Sequence, residues 1–119
     1  MKLESFKQLI VWQRAIELVE EIYIATSKLP VSEQYGITSQ MKRASVSIPS
    51  NVAEGHRRGT RKDFIHFLRI ADGSCAELET QIIIASKLYE NISFTKAVGL
   101  LSEVQKMLTV MIKKIEAKN

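Results

Sequence analysis

Residues 40–85 read QMKRASVSIPSNVAEGHRRGTRKDFIHFLRIADGSCAELETQIIIA, and they decide the fold. Two apolar patterns of helical period flank a short basic hinge. Ahead of the hinge, Ile37, Met41, Ala44, Ile48 and Val52 recur at three- and four-residue steps. After it, Phe64, Phe67, Leu68, Ala71, Cys75, Leu78, Ile82, Ala85 and Tyr89 do the same. Such spacing puts each set on one face of a helix at about 100° per residue. A strand is the alternative for ASVSIP, but the longer spacing favours a helix. Gly59 breaks the chain between the two, and Thr60 with Asp63 resembles a capping box with Asp in the usual Glu place. Two helices joined by so short a turn must run antiparallel.

Working outward, the flanking segments repeat the pattern. Leu9, Val11, Trp12, Ala15, Ile16, Leu18, Val19, Ile22 and Tyr23 fill one half of a helical wheel, with Gln13, Arg14, Glu17, Glu20 and Glu21 on the other. Phe94, Ala97, Leu101, Val104, Leu108, Met111, Ile112 and Ile115 form the inner face of a last segment, whose Lys113, Lys114 and Lys118 suit a helix C-terminus. The expected helices cover about residues 9–27, 32–57, 60–90 and 93–118, with Ser32 and Ser93 as N-caps. Pro49 removes one backbone donor and should kink or split the second helix. The fold class is therefore all-α: a single-domain, antiparallel, up-and-down four-helix bundle.

Composition bounds the functional classes. The 119 residues suffice for one domain with its own core. A net charge of +4 and a pI near 9.3 give a mild basic excess, compatible with a nucleic-acid partner. Cys75 is the sole cysteine and has no partner for an intramolecular disulfide, which fits a reducing cytoplasm. No apolar run approaches the roughly 20 residues of a membrane span, so no membrane partner is expected. No enzyme is expected either. Glu77 and Glu79 lie about 160° apart on the third helix and cannot act together on one atom. Di-iron bundles need Glu-x-x-His motifs from two helices, and neither His56 nor His66 follows a glutamate at that spacing, so no metal or cofactor is expected. Cys75 falls on an apolar face as a structural residue, and Trp12 is a core or interface anchor. The small residues Ser45, Ser47, Ser50, Gly55, Gly73 and Ser74 suit close helix approach or bonding back to the backbone.

The chemical signal that remains is the hinge. Arg57, Arg58, Arg61 and Lys62 follow one another with no acid before Asp63. Clustered cations beside a helix N-terminus can contact phosphates; the alternative is a solvated turn. Lys42 and Arg43, with Lys7 and Arg14, could extend a basic surface, or could be an ordinary polar helix face. Glu77 or Glu79 is expected to pair with Arg43 or Arg57, within the bundle or between subunits. Ile10, Ile24, Ile65, Ile83 and Val110 fall outside the main apolar stripes and are candidate subunit-interface positions.

The phrases LIVWQRAIELVEEIY (9–23), YGITSQMKRASVSIPSNVAEGHRRGT (35–60) and DFIHFLRIADGSCAELETQIIIA (63–85) resemble four-helix-bundle proteins encoded in intervening sequences of bacterial large-subunit ribosomal RNA genes. The resemblance runs over about residues 6–90; the last segment matches in pattern alone. It implies a left-handed bundle assembled as a ring-shaped homopentamer. Related proteins accompany the reverse transcriptases of diversity-generating retroelements, where basic barrels bind nucleic acid and the reverse transcriptase. The expected partners are thus other copies of the chain, RNA or DNA, and alternatively a protein such as a reverse transcriptase that the chain would serve as an adaptor.

Overall fold

Helices form where the apolar period predicts them. A computed structural model describes residues 5–118, in which α1 spans Ile10–Thr26, α2 Ile37–Arg58, α3 Arg61–Leu88 and α4 Thr95–Ala117. No strand occurs among the described residues. The elements pack as a square: α1 and α3 each lie against α2 and α4, and neither diagonal pair is in close contact. This is the antiparallel four-helix bundle, 48 Å long and 20 Å across. Its axis is lined by Leu18, Ile22, Met41, Ile48, Leu68, Leu78 and Leu108, all fully buried.

Three local expectations are corrected or narrowed. The second helix begins at Ile37, not near Ser32, which is exposed in a 3-10 turn over Val31–Glu33. Gly36, at φ −111° and ψ −119°, holds a non-helical backbone that separates turn from helix. There the Tyr89 hydroxyl donates to Glu33 at 2.5 Å and ties the turn to the end of α3. That carboxylate, then burial, holds the Tyr89 phenol above its ordinary value. Second, of the kink or split expected at Pro49 the split does not occur: α2 runs continuously through Pro49, which is buried. A proline inside a helix removes the donor for the carbonyl four residues earlier, and twelve residues ahead of Pro49 with nine after it carry the helix across that one gap. Third, α4 starts at Thr95: Ser93 accepts the Thr95 N–H at 3.4 Å, but the cap position is the buried Phe94.

Several of the small residues act as expected, whereas Ser50 and Gly73 are exposed and a Cβ at Gly73 would meet nothing within 4 Å. Ser47 and Ser74 join α2 to α3 through a hydroxyl pair at 2.8 Å. Ser45 donates back to the Lys42 carbonyl at 2.8 Å. At Gly55 the helices come so close that a Cβ would lie 2.8 Å from Phe67 Cβ and 3.1 Å from Phe64 Cδ1. Cys75 is fully buried on α3, and burial pushes its thiol up to about 12. Trp12 is half-buried against the core, edge-on to Phe6 with ring centroids 5.5 Å apart.

Candidate nucleic-acid interface

The hinge is built from two helix ends. Gly59 takes the left-handed conformation at φ +82°, which closes α2 and is accessible to glycine without steric cost. Thr60 then caps α3 by accepting the Asp63 N–H at 3.2 Å. Arg57, Arg58, Arg61 and Lys62 are all exposed around this two-residue turn. They are not equivalent. Arg58 Nε donates to Glu54 Oε2 at 3.0 Å, and its guanidinium lies over the Phe67 ring, 5.0 Å from the centroid. Arg57, Arg61 and Lys62 make no ion pair among the described residues.

The topology adds cations from elsewhere. In an up-and-down bundle α2 and α4 end, and α1 and α3 begin, at one pole. Lys7 ahead of α1 and Lys113, Lys114 and Lys118 at the end of α4 therefore join the hinge residues. The acids near them are Glu54, Asp63 and Glu116; Arg58 holds the first and Arg69 the last. At the other pole Lys28, Lys87 and Lys96 alternate with Glu20, Glu21, Glu33 and Glu90. Cations thus outnumber acids at the pole where α2 and α4 end.

A cleft opens in this pole. It measures about 460 Å³ and is lined by Leu9, Gly55, His56, Gly59, Thr60, Arg61, Phe64, Ile115 and Lys118. Its floor is apolar and its rim carries Arg61 and Lys118. His56 sits edge-on to Phe64 with ring centroids 5.9 Å apart, and its Nδ1 is buried without a hydrogen-bond partner. Sequence reasoning placed Phe64 on the core face of the third helix and Lys118 at a helix dipole. No local pattern joins residue 9 to 64 and 115; only the bundle does.

The other basic candidates fall away from the hinge. Lys42 and Arg43 lie some 14–16 residues before Arg57 and Arg58 on one helix, about 21–24 Å away at ~1.5 Å per residue. Lys42 stacks its ammonium 4.7 Å from the centre of the Tyr23 ring. Arg43 faces a separate polar cleft with Gln40, Ser47, Glu77 and Gln81 between α2 and α3. Arg14 is not a free cation: its guanidinium bridges both Glu103 oxygens, at 3.0 and 2.8 Å, and reaches Glu17 at 2.6 Å. The Glu103 hydrogen bond raises Arg14, and the same bond holds Glu103 below its ordinary value. The expected glutamate pairs do not form within the chain. Glu77 makes no ion pair among the described residues, and Glu79 accepts from Gln105 Nε2 at 2.9 Å.

Of the interface candidates, Ile65 packs half-buried against the core instead of facing outward. Ile10, Ile24, Ile83 and Val110 are exposed, at 63%, 54%, 50% and 49%. They do not form one patch. Ile24 borders the clefts between α1 and α4, beside Lys96, while Ile83 borders the cleft between α3 and α4 with Val98.

Residues 7–110 match the profile of a family described as 23S rRNA-intervening sequence protein. The chain belongs to that family. The match spans α1 to α3, the whole hinge and most of α4, so it extends past the sequence phrases that first suggested it. A crystal structure from Bacteroides thetaiotaomicron, of a protein with unknown function from the S23 ribosomal protein family, is similar at 26% identity with a TM-score of 0.75. The similarity covers 87% of this chain and 99% of that one. None of the curated proteins compared with the chain matches it.

In this family member the matched span includes Leu9, His56, Arg61 and Phe64 of the cleft and stops short of Ile115 and Lys118. Among the described residues no helix is long and apolar enough to cross a membrane. No group of three or more His, Cys, Asp or Glu there could hold a metal ion.

Proposed function

We propose that this protein is a non-enzymatic, self-associating scaffold of the reducing cytoplasm that binds structured nucleic acid, RNA foremost, through its basic pole. The observation that carries the reading is the set of unpaired cations Arg57, Arg61 and Lys62 around the N-terminus of α3, in a field that α4 and the α1 entry reinforce. Clustered cations displace condensed counterions from phosphates, and a helix N-terminus adds its dipole. Self-association is supported by exposed apolar residues on two different sides of α4. A head-to-tail contact that closes into a ring uses two different surfaces of each copy, and the pentamer that the family resemblance implies is such a ring. Repeating the pole around a ring would multiply weak contacts into avidity.

The test is the salt dependence of binding to a folded RNA hairpin. Arg57→Ala/Arg61→Ala/Lys62→Ala should weaken binding and flatten the slope of log K against log salt, by up to about 0.9 for each phosphate that is no longer neutralised. Lys28→Ala/Lys87→Ala/Lys96→Ala, at the other pole, removes the same charge and should change neither. Equal effects from both variants would sink the polar site. A light-scattering mass of one 13.5 kDa chain would sink the assembly. Binding to a reverse transcriptase that survives loss of all three hinge cations would favour the adaptor reading instead.

A further inference from the structure

The geometry points to a more specific ligand: the basic-pole cleft takes a single unpaired nucleobase, with the flanking phosphates on the surrounding cations. The inference rests on the nucleic-acid reading above and adds to it what the pole recognises.

Three features converge. The cleft, at about 460 Å³, lies within the roughly 300–1,000 Å³ range of small-molecule pockets. Its floor of Leu9, Phe64 and Ile115 is apolar, suited to the faces of a flat ring. Arg61 and Lys118 stand on the rim, with Arg57 and Lys62 exposed at the same turn, where the phosphates on either side of an extruded base would lie.

Other anions fit less of the site. An isolated carboxylate would meet one cation and leave the apolar floor uncovered. A hydrocarbon chain would cover the floor and leave the rim cations Arg61 and Lys118 without an anion. An unstacked base is planar, apolar on its faces and polar at its edge, and carries anions on both sides. Splayed bases in loops and bulges are the usual targets of sequence-specific RNA binding.

The experiment compares two RNA hairpins matched in total phosphate number, one fully paired and one with a single bulged 2-aminopurine. The wild-type protein should bind the bulged hairpin about tenfold more tightly, the scale of one base stacking on an aromatic side chain, with a change in 2-aminopurine fluorescence. Phe64→Leu, which keeps an apolar side chain but removes the ring, should abolish that preference and leave binding to the paired hairpin unchanged. Ile115→Trp, which fills the cleft while keeping every charge, should do the same. Equal binding of both hairpins by wild type overturns the base pocket and leaves the phosphate reading standing; binding of neither overturns both. Full preference retained in both variants places the base elsewhere and overturns the assignment. Displacement of the bulged hairpin by a polyglutamate peptide at matched charge would show an anionic peptide in the cleft, and would overturn it too.

Discussion

The close approach of α2 and α3 at Gly55 makes a sharp prediction, because one substitution should have opposite signs at different helical glycines. In Gly55→Ala the new Cβ would sit 2.8 Å from Phe67 Cβ and 3.1 Å from Phe64 Cδ1. Carbon atoms prefer about 3.5–4.0 Å, so α2 must retreat from α3 by about 0.7 Å or more, or Phe64 and Phe67 must leave their rotamers. Neither ring is free to move: Arg58 lies over Phe67 and His56 packs edge-on to Phe64. Overpacking of this kind costs about 1–3 kcal/mol, against a helix-propensity gain of about 1 kcal/mol for Gly to Ala. The net expectation is a loss of up to about 2 kcal/mol, or as much as roughly 8 °C in Tm at about 4 °C per kcal/mol for a chain of this size. Gly73 and Gly99 are also inside helices, but a Cβ there meets nothing within 4 Å. Their alanine variants should gain about 0.5–1 kcal/mol. Urea and thermal unfolding followed by circular dichroism, at one protein concentration, measure all three. A Gly55→Ala protein that gains stability as the Gly73 and Gly99 variants do would refute the packing argument.

Three further outcomes follow from the same geometry. Gly59→Ala forces a left-handed φ of +82° on a residue with a Cβ; it should cost about 1–2 kcal/mol in urea unfolding despite open space around it, and a neutral result would mean the hinge backbone relaxes. Glu103→Gln should lower the Tm at neutral pH because it removes the bridge to Arg14. Since the folded Glu103 carboxyl is held below its ordinary value of 4.5, its contribution is present above that value and fades as the pH falls through the folded one, so the variant and the wild type should converge in acid melts; a gap that persists at acid pH would contradict this. Cys75, fully buried with its thiol pushed up to about 12, should resist a thiol reagent at pH 8 in the native state and react rapidly in urea; fast native labelling would place it at the surface.

Much of the fold is written in local spacing. The apolar positions of residues 9–23, 64–85 and 94–115 assign the helices, since a period near 3.6 residues puts their side chains on one buried face whatever the partner helix is. The turn at Gly59 and Thr60 is equally local, a left-handed residue followed by a capping hydroxyl. The errors have local causes as well. A good N-cap residue at Ser32 did not start a helix because Gly36 holds a non-helical backbone after it. At Pro49, where a kink or a split was open, the helix stays continuous, since it spans the single donor that proline removes.

The candidate site divides differently. Its cations are visible in the sequence, but which of them are free is not. Arg58 is taken up by Glu54 and Phe67, and Arg14 by Glu103, 89 residues away. Lys118 joins the hinge, and Leu9, Phe64 and Ile115 share a cleft, only because antiparallel packing brings the ends of all four helices to one pole. The sequence by itself determined that this chain is a four-helix bundle with a basic turn, for solvent and core separate along each helix independently of its neighbours. The tertiary structure alone decided that the turn is part of a basic pole with an apolar cleft, because ion pairing and cavity formation depend on which side chains of different helices meet, and helical period carries no record of that.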